Sequence, residues 1–187
     1  MWFKPVVIIF LFWLLAVFQN SFFAHFDLMG AVPNLVFIMF FLLVFFEKPS
    51  APSESRFGNY YHVVFYALVD GLFLDFLSYS YLGVSVILLL IIGFLIKSSQ
   101  SMLRENGNIK FPFVYFLPLF FVGLLAYEIL LDVFLNKFNA IQVIHGFNQG
   151  FFTGMIYNLI IATAAFYICK MFLKEDYHSK QLKLFLK

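Results

Sequence analysis

Six apolar runs alternate with short polar stretches along the chain. A run of about 20 apolar residues is long enough to cross the hydrocarbon core of a bilayer as a helix, and the polar stretches contain the proline, glycine and serine typical of connections. The pattern predicts an all-α integral membrane protein with a single polytopic domain over residues 1–187. The six predicted transmembrane helices lie at about residues 5–23, 32–46, 60–77, 84–96, 113–135 and 151–173.

The first run could instead be a cleaved signal peptide. Cleavage near Ala24 would place Phe22 where a small residue is preferred, which disfavours that alternative. We therefore expect residues 5–23 to be a retained helix.

Composition supports a membrane protein. Hydrophobic residues make up 63% of the 187 residues and charged residues only 12%, against about 25% charged in soluble domains. The net charge of +2 is too small to indicate nucleic-acid binding. The one cysteine, Cys169, cannot form an intrachain disulfide, and the simplest role for the thirty phenylalanines is a lipid-facing surface.

The distribution of basic residues predicts the orientation. Six spans place both termini on one side of the membrane, and lysine and arginine favour the cytoplasmic side. Of the twelve basic residues, only Lys137 falls on the other side. We therefore expect both termini to be cytoplasmic. The residues assigned to the cytoplasm are Lys4, Lys48, Arg56, Lys97, Arg104, Lys110, Lys170, Lys174, Lys180, Lys183 and Lys187.

The third run carries two carboxylates, Asp70 and Asp75, and no basic residue. A carboxylate near the middle of a membrane helix costs roughly 2.5–3.5 kcal/mol on insertion scales. Gly71 lies one helical turn before Asp75 on the same face, where the missing side chain lets another backbone approach. We expect this face to be packed against protein. Asp70 lies near mid-membrane and Asp75 near the outer interface, and the two point about 140° apart.

Two more acids, Glu128 and Asp132, share a face in the outer half of the fifth helix. One interpretation is that the intramembrane acids are neutral or hydrogen-bonded inside the bundle. The other is that they line a polar cavity that opens outward and holds a ligand or a polar group of a partner. The groups that could face them are His145, Asn148, Gln149, Tyr157 and Asn158.

No intramembrane enzyme motif matches. The residues before Asp70 and Asp132 are Val69 and Leu131, which do not fit the two motifs of presenilin-type aspartyl proteases. The serine motif of rhomboid proteases, the Glu-Glu pair of abortive-infection proteases and a glycine-rich phosphate loop are also absent. The four histidines fall in separate polar segments without metal-site spacing. We predict a protein that is not an enzyme and has no cofactor or metal.

The chain resembles the family of the rod shape-determining protein MreD. That family has Gly-Leu-x-x-Asp, a short polar turn and then Leu-Gly before the next helix, and this chain has Gly-Leu-Phe-Leu-Asp followed by Leu-Gly. Upstream, Gln-Asn closes the first helix and Pro-Asn-Leu opens the second. The chain departs from the family pattern at Ala67, Asp70 and Tyr81. The residues that carry the resemblance are Gln19, Asn20, Pro33, Asn34, Gly71, Asp75, Leu82 and Gly83.

The resemblance implies a non-enzymatic scaffold subunit of the bacterial cell-elongation complex, in the cytoplasmic membrane. Such proteins act with the single-span MreC, and beside MreB, RodA and a class B penicillin-binding protein, in cell-shape control and peptidoglycan synthesis. The motif residues would then shape a contact for MreC or the synthase. The family is thought to share a fold with S-components of energy-coupling-factor transporters, which implies an S-component-like bundle. It also supplies the alternative of a vitamin-binding subunit.

Overall fold

The computed structural model describes residues 3–27, 30–47, 60–77, 81–105, 113–136 and 149–185. The described part of the chain is helical apart from short connections and contains no β-strand. Its six α-helices are α1 (Phe3–Ser21), α2 (Leu35–Phe46), α3 (Tyr61–Leu77), α4 (Val84–Glu105), α5 (Phe113–Leu135) and α6 (Gln149–Phe185). A short 3₁₀ turn, Phe23–His25, follows α1.

The helices occupy the six predicted runs, but two of them are longer than predicted. α4 continues nine residues past position 96, through a stretch that the sequence suggests is a polar linker, and α6 extends to Phe185. Polar residues can continue a helix beyond the apolar layer, so hydropathy marks the end of a span and not the end of the helix. Parts of the predicted connections, residues 48–59, 78–80, 106–112 and 137–148, lie outside the described residues, as do His145 and Asn148.

Four described segments are long and apolar enough to cross a membrane: Pro5–His25, Val84–Ser101, Phe113–Leu135 and Gln149–Met171. The chain thus has the character of a membrane protein. α2 is apolar but has only 12 residues, about 18 Å of helix against a hydrocarbon core of about 30 Å. α3 has 17 residues.

The short helix α2 forms the centre of the bundle. It contacts α1, α3, α4 and α6, and nine of its twelve residues are buried. Phe37, Phe41 and Phe45 lie one helical turn apart and pack their rings against Phe116 and Phe120 of α5 at centroid distances of 5.0–5.9 Å. The expectation of a lipid-facing role for the phenylalanines is therefore wrong for these five, since aromatic rings pack as well against each other as against lipid.

α3 and α4 pack closely because Gly71 has no side chain. A Cβ built on Gly71 would lie 2.5 Å from the Cα and 2.6 Å from the backbone nitrogen of Val86. Farther along the same pair, a Cβ on Gly93 would collide with the side chain of Val63. The prediction that another backbone approaches at Gly71 is confirmed, and that backbone is α4 of the same chain.

Replacing Gly71 by alanine should lower the free energy of unfolding by about 1–3 kcal/mol, because the new methyl group meets backbone atoms that cannot rotate away. The measurement is the thermal unfolding midpoint of the purified protein in detergent. Gly154→Ala is the matched control, since its Cβ would lie 3.5 Å from the Cβ of Ala31, an ordinary van der Waals distance. Equal midpoints for the two variants would contradict the close approach.

Candidate functional site

The beginning of α2 is held by side chains from three parts of the chain. Asn34 is its N-cap, and the side-chain oxygen accepts a hydrogen bond from the backbone N–H of Phe37 (3.0 Å). The Oε1 of Gln19 in α1 accepts from the backbone N–H of Leu35 (2.8 Å). The backbone N–H of Asn34 itself donates to the Oδ1 of Asn158 in α6 (2.6 Å). The backbone donors at this helix end are thus supplied with acceptors without water.

The beginning of α4 is held by Asp75 of α3. Its Oδ2 accepts a hydrogen bond from the backbone N–H of Gly83 (2.6 Å), and its Oδ1 accepts from that of Ser85 (3.0 Å). A carboxylate at a helix N-terminus is favoured both by the exposed N–H groups and by the helix dipole. Gly83 has φ +98°, a backbone conformation that few other residues adopt. The motif thus brings together an acid and the turn that presents two amides to it.

A short chain of contacts connects the two helix beginnings. The Ser85 hydroxyl lies 3.2 Å from the Tyr127 hydroxyl of α5. The ring of Tyr127 packs on Phe37, in the first turn of α2, with centroids 5.0 Å apart. The two caps and this connection lie at one end of the bundle, where α1, α3 and α5 end. We call this set the cap cluster: Gln19, Asn34, Asp75, Gly83, Ser85, Tyr127 and Asn158.

The remaining predicted residues have more local roles. The side-chain amide of Asn20 donates to the carbonyl of Ala16 in its own helix (2.9 Å). Pro33 is buried just before α2, whereas Leu82 is 77% exposed beside the cap cluster. Asp132 is half-buried and accepts a hydrogen bond from the side-chain amide of Asn136 (2.8 Å). Glu128 is half-buried one turn before it.

Asp70 and Asp75 are both inside the protein but differ in their partners. Each is at most 2% exposed. Asp75 uses both oxygens, as described above, whereas neither oxygen of Asp70 has a hydrogen-bond partner among the described residues. An ionised carboxylate with no partner is very unfavourable at such a position. We therefore expect Asp70 to be held as the neutral acid.

The end of α2 is held by side chains that were not among the predicted site residues. The side-chain amide of Gln100 donates to the carbonyl of Phe45 (2.9 Å), and the Nζ of Lys97 donates to the carbonyl of Glu47 (3.1 Å). The sequence placed both residues in a linker, because a polar residue after an apolar run usually marks the end of the span. Their spacing within one helical turn was the available signal.

Glu47 lies just beyond α2, with His62 of α3 nearby. The Nδ1 of His62 lies 3.4 Å from the Oε1 of Glu47. Burial raises the pKa of Glu47, while His62, Lys97 and Tyr66 act in the opposite direction and offset this only in part. Glu47 is therefore an acid whose surroundings compensate its charge incompletely.

Three residues of the cap cluster were also missed as cap residues: Ser85, Tyr127 and Asn158. Asn158 was expected to face an acid, but its oxygen accepts from the backbone of Asn34 instead. A single polar residue in an apolar helix indicates a buried hydrogen bond, but the sequence does not say with what. The partner lies 124 positions away.

No family model, curated protein or solved structure matches this chain. Within the described ranges, no group of three or more histidine, cysteine and carboxylate side chains could hold a metal ion. The chemical role of the cap cluster is therefore inferred from its geometry. Its acceptors are used by backbone amides, which suits them to fixing one end of the bundle.

Replacing Asp75 by alanine should lower the free energy of unfolding by about 2 kcal/mol, because the amides of Gly83 and Ser85 lose their acceptor away from water. Asp75→Asn keeps one acceptor oxygen and should recover part of the loss. Unfolding of the detergent-solubilised protein, followed by circular dichroism, measures both. A wild-type midpoint for Asp75→Ala would contradict the cap.

Replacing Asp70 by leucine should leave the unfolding midpoint unchanged or raise it, because the change removes a buried polar group that has no partner among the described residues. Asp70 and Asp75 are the same residue type in one helix, so each variant is the control for the other. If Asp70→Leu lost as much stability as Asp75→Ala, the Asp70 carboxyl group would have a hydrogen-bond partner that contributes similarly to the free energy of unfolding.

Proposed function

We propose that this protein is a non-enzymatic membrane scaffold of the MreD type, which acts with an MreC-like single-span protein in the bacterial cell-elongation complex. The observation that carries the proposal is the use of the motif residues. Gln19, Asn34, Gly71 and Asp75, which carry the resemblance, are also residues that fix one end of the bundle. Their polar atoms are used by the chain's own backbone, which favours a scaffold over a catalyst.

In this proposal all six helices lie in the cytoplasmic membrane, with both termini in the cytoplasm. The basic residues favour that orientation, and it directs the cap cluster outward. α2 and α3, with 12 and 17 residues, are shorter than the about 20 residues of a typical span. The capped ends of α2 support its place in the bilayer, because a helix whose terminal amides and carbonyls have side-chain partners does not need to reach water.

The motif side chains contact the chain itself, so a partner would meet the residues that they position. Phe76, Tyr81 and Leu82 flank the cap formed by Asp75 and Gly83, and they are 60–77% exposed. We call these three residues the outer apolar patch. An exposed apolar patch beside a fixed helix beginning suits a contact with another membrane subunit, because exposed apolar patches mark interaction sites and preorganisation lowers the entropy lost on binding. In this proposal RodA and a class B penicillin-binding protein are further partners in the complex.

Co-purification with the MreC-like protein of the same genome tests the proposal. Leu82→Ser should reduce recovery of that partner several-fold while leaving the unfolding midpoint unchanged, because Leu82 is 77% exposed. Leu135→Ser is the matched control, an exposed leucine at the same end of the bundle. Unchanged recovery with Leu82→Ser, or equal loss with both variants, would contradict this contact. A vitamin that raises the midpoint of the wild-type protein would instead favour the S-component-like alternative.

A further inference from the structure

Two cavities meet beside Glu47 and Tyr66, at the opposite end of the bundle from the cap cluster. One has a volume of about 410 Å³ and lies against α2 and α6, with Leu43 and Cys169 in its wall. The other has about 470 Å³ and lies between α1 and α3, with Ile8 in its wall. Both are open at the surface, and Glu47 and Tyr66 line both. The arrangement is a polar junction with two separate arms.

The arms have mostly apolar walls. α2 contributes Met39, Leu42, Leu43 and Phe46 to the smaller cavity, whereas the larger one includes Pro5, Ile8 and Phe65. Surfaces of this kind, at the end of helices that are long enough to span a membrane, accept hydrocarbon chains. An occupant with one polar group and two apolar chains would fill both arms at once.

Among the described residues, one carboxylate oxygen of the polar junction has no donor. The Oε1 of Glu47 faces His62, the Tyr66 hydroxyl interacts with the same carboxyl group, and Lys97 donates to the backbone carbonyl of Glu47. The Oε2 of Glu47 is buried and has no hydrogen-bond partner among the described residues. A buried acceptor without a donor is unfavourable, so this oxygen suits a ligand that brings an N–H group.

We propose that this junction binds a phospholipid with an amine headgroup, phosphatidylethanolamine, whose ammonium donates to the Oε2 of Glu47 while its acyl chains occupy the two cavities. The ammonium supplies both the donor and the positive charge that the carboxylate favours. A choline headgroup carries the same charge but no N–H, and an anionic headgroup would meet the carboxylate with like charge. The site is independent of the proposed MreC-like partner.

The test is a competition by native mass spectrometry. The full-length protein, stripped of lipid in detergent, receives dioleoylphosphatidylethanolamine and its N-methylated forms in turn, each mixed with an equal amount of dioleoylphosphatidylcholine. We expect roughly tenfold preference over the choline lipid for every headgroup that retains an N–H, with the preference lost only at the third methyl group. A gradual loss with each methyl group, no preference, or stronger retention of dioleoylphosphatidylglycerol would overturn the proposal.

Two substitutions distinguish the contribution of the headgroup contact to lipid binding from that of the acyl chains. Glu47→Gln removes the charge and one acceptor oxygen and should weaken the preference for the amine lipid, whereas Asp27→Asn, an exposed acid beyond α1 at the other end of the bundle, should keep it. Cys169→Phe reduces the smaller cavity and should lower the retention of both lipids equally while leaving their ratio unchanged. An unchanged ratio in a Glu47→Gln protein that keeps the wild-type unfolding midpoint would exclude this carboxylate as the headgroup site. If that variant is unstable, the methylation series on the wild-type protein decides alone.

Discussion

α2 begins and ends among buried residues, which leaves its terminal backbone amides and carbonyls without water, and this bundle depends on how they are satisfied. At its beginning the acceptors are Asn34 and Gln19. At its end the donors include Gln100 and Lys97. Because these side chains belong largely to other helices, α2 is complete only when α1 and α4 are in place. The central helix is thus stabilised by its surroundings rather than by its own length.

The same requirement explains why the cap cluster is continuous. α4 also begins away from water, with Ser85 buried in its first turn, and Asp75 accepts from the amides at this end. Asp75 can reach them only because Gly71 lets α3 lie directly on α4. The tyrosine of α5 then connects this cap to the first turn of α2 through Ser85 and Phe37. A change in one contact is therefore expected to affect its neighbours, since hydrogen bonds in a shared network are not independent.

Whether a feature of this structure could be predicted from the sequence depends on how far apart along the chain the interacting residues lie. The positions of the helices depend on local hydropathy and were predicted, as was the buried face of Gly71 and Asp75, because a glycine and an acid in lipid-soluble sequence need protein around them. The choice of partners could not be predicted. Gln19 is 16 positions from the amide that it accepts from, and Asn158 is 124 positions from its donor. Such pairs depend on how the helices are arranged in space, which local sequence patterns do not specify.

The motif residues bond and pack within the chain itself, and this limits what the motif indicates about partners. Both carboxylate oxygens of Asp75 accept hydrogen bonds within the chain, and Gly71 packs against Val86. Neither residue is therefore available to recognise another protein. What these residues do determine is the position of Gly83 and Ser85 at the beginning of α4, next to Leu82, which is largely exposed. Asp70 shows the contrast. It is as well buried, five positions away, but neither of its oxygens has a hydrogen-bond partner among the described residues. A partner at a helix beginning, rather than burial or charge alone, distinguishes the acid of α3 that fixes this end of the bundle.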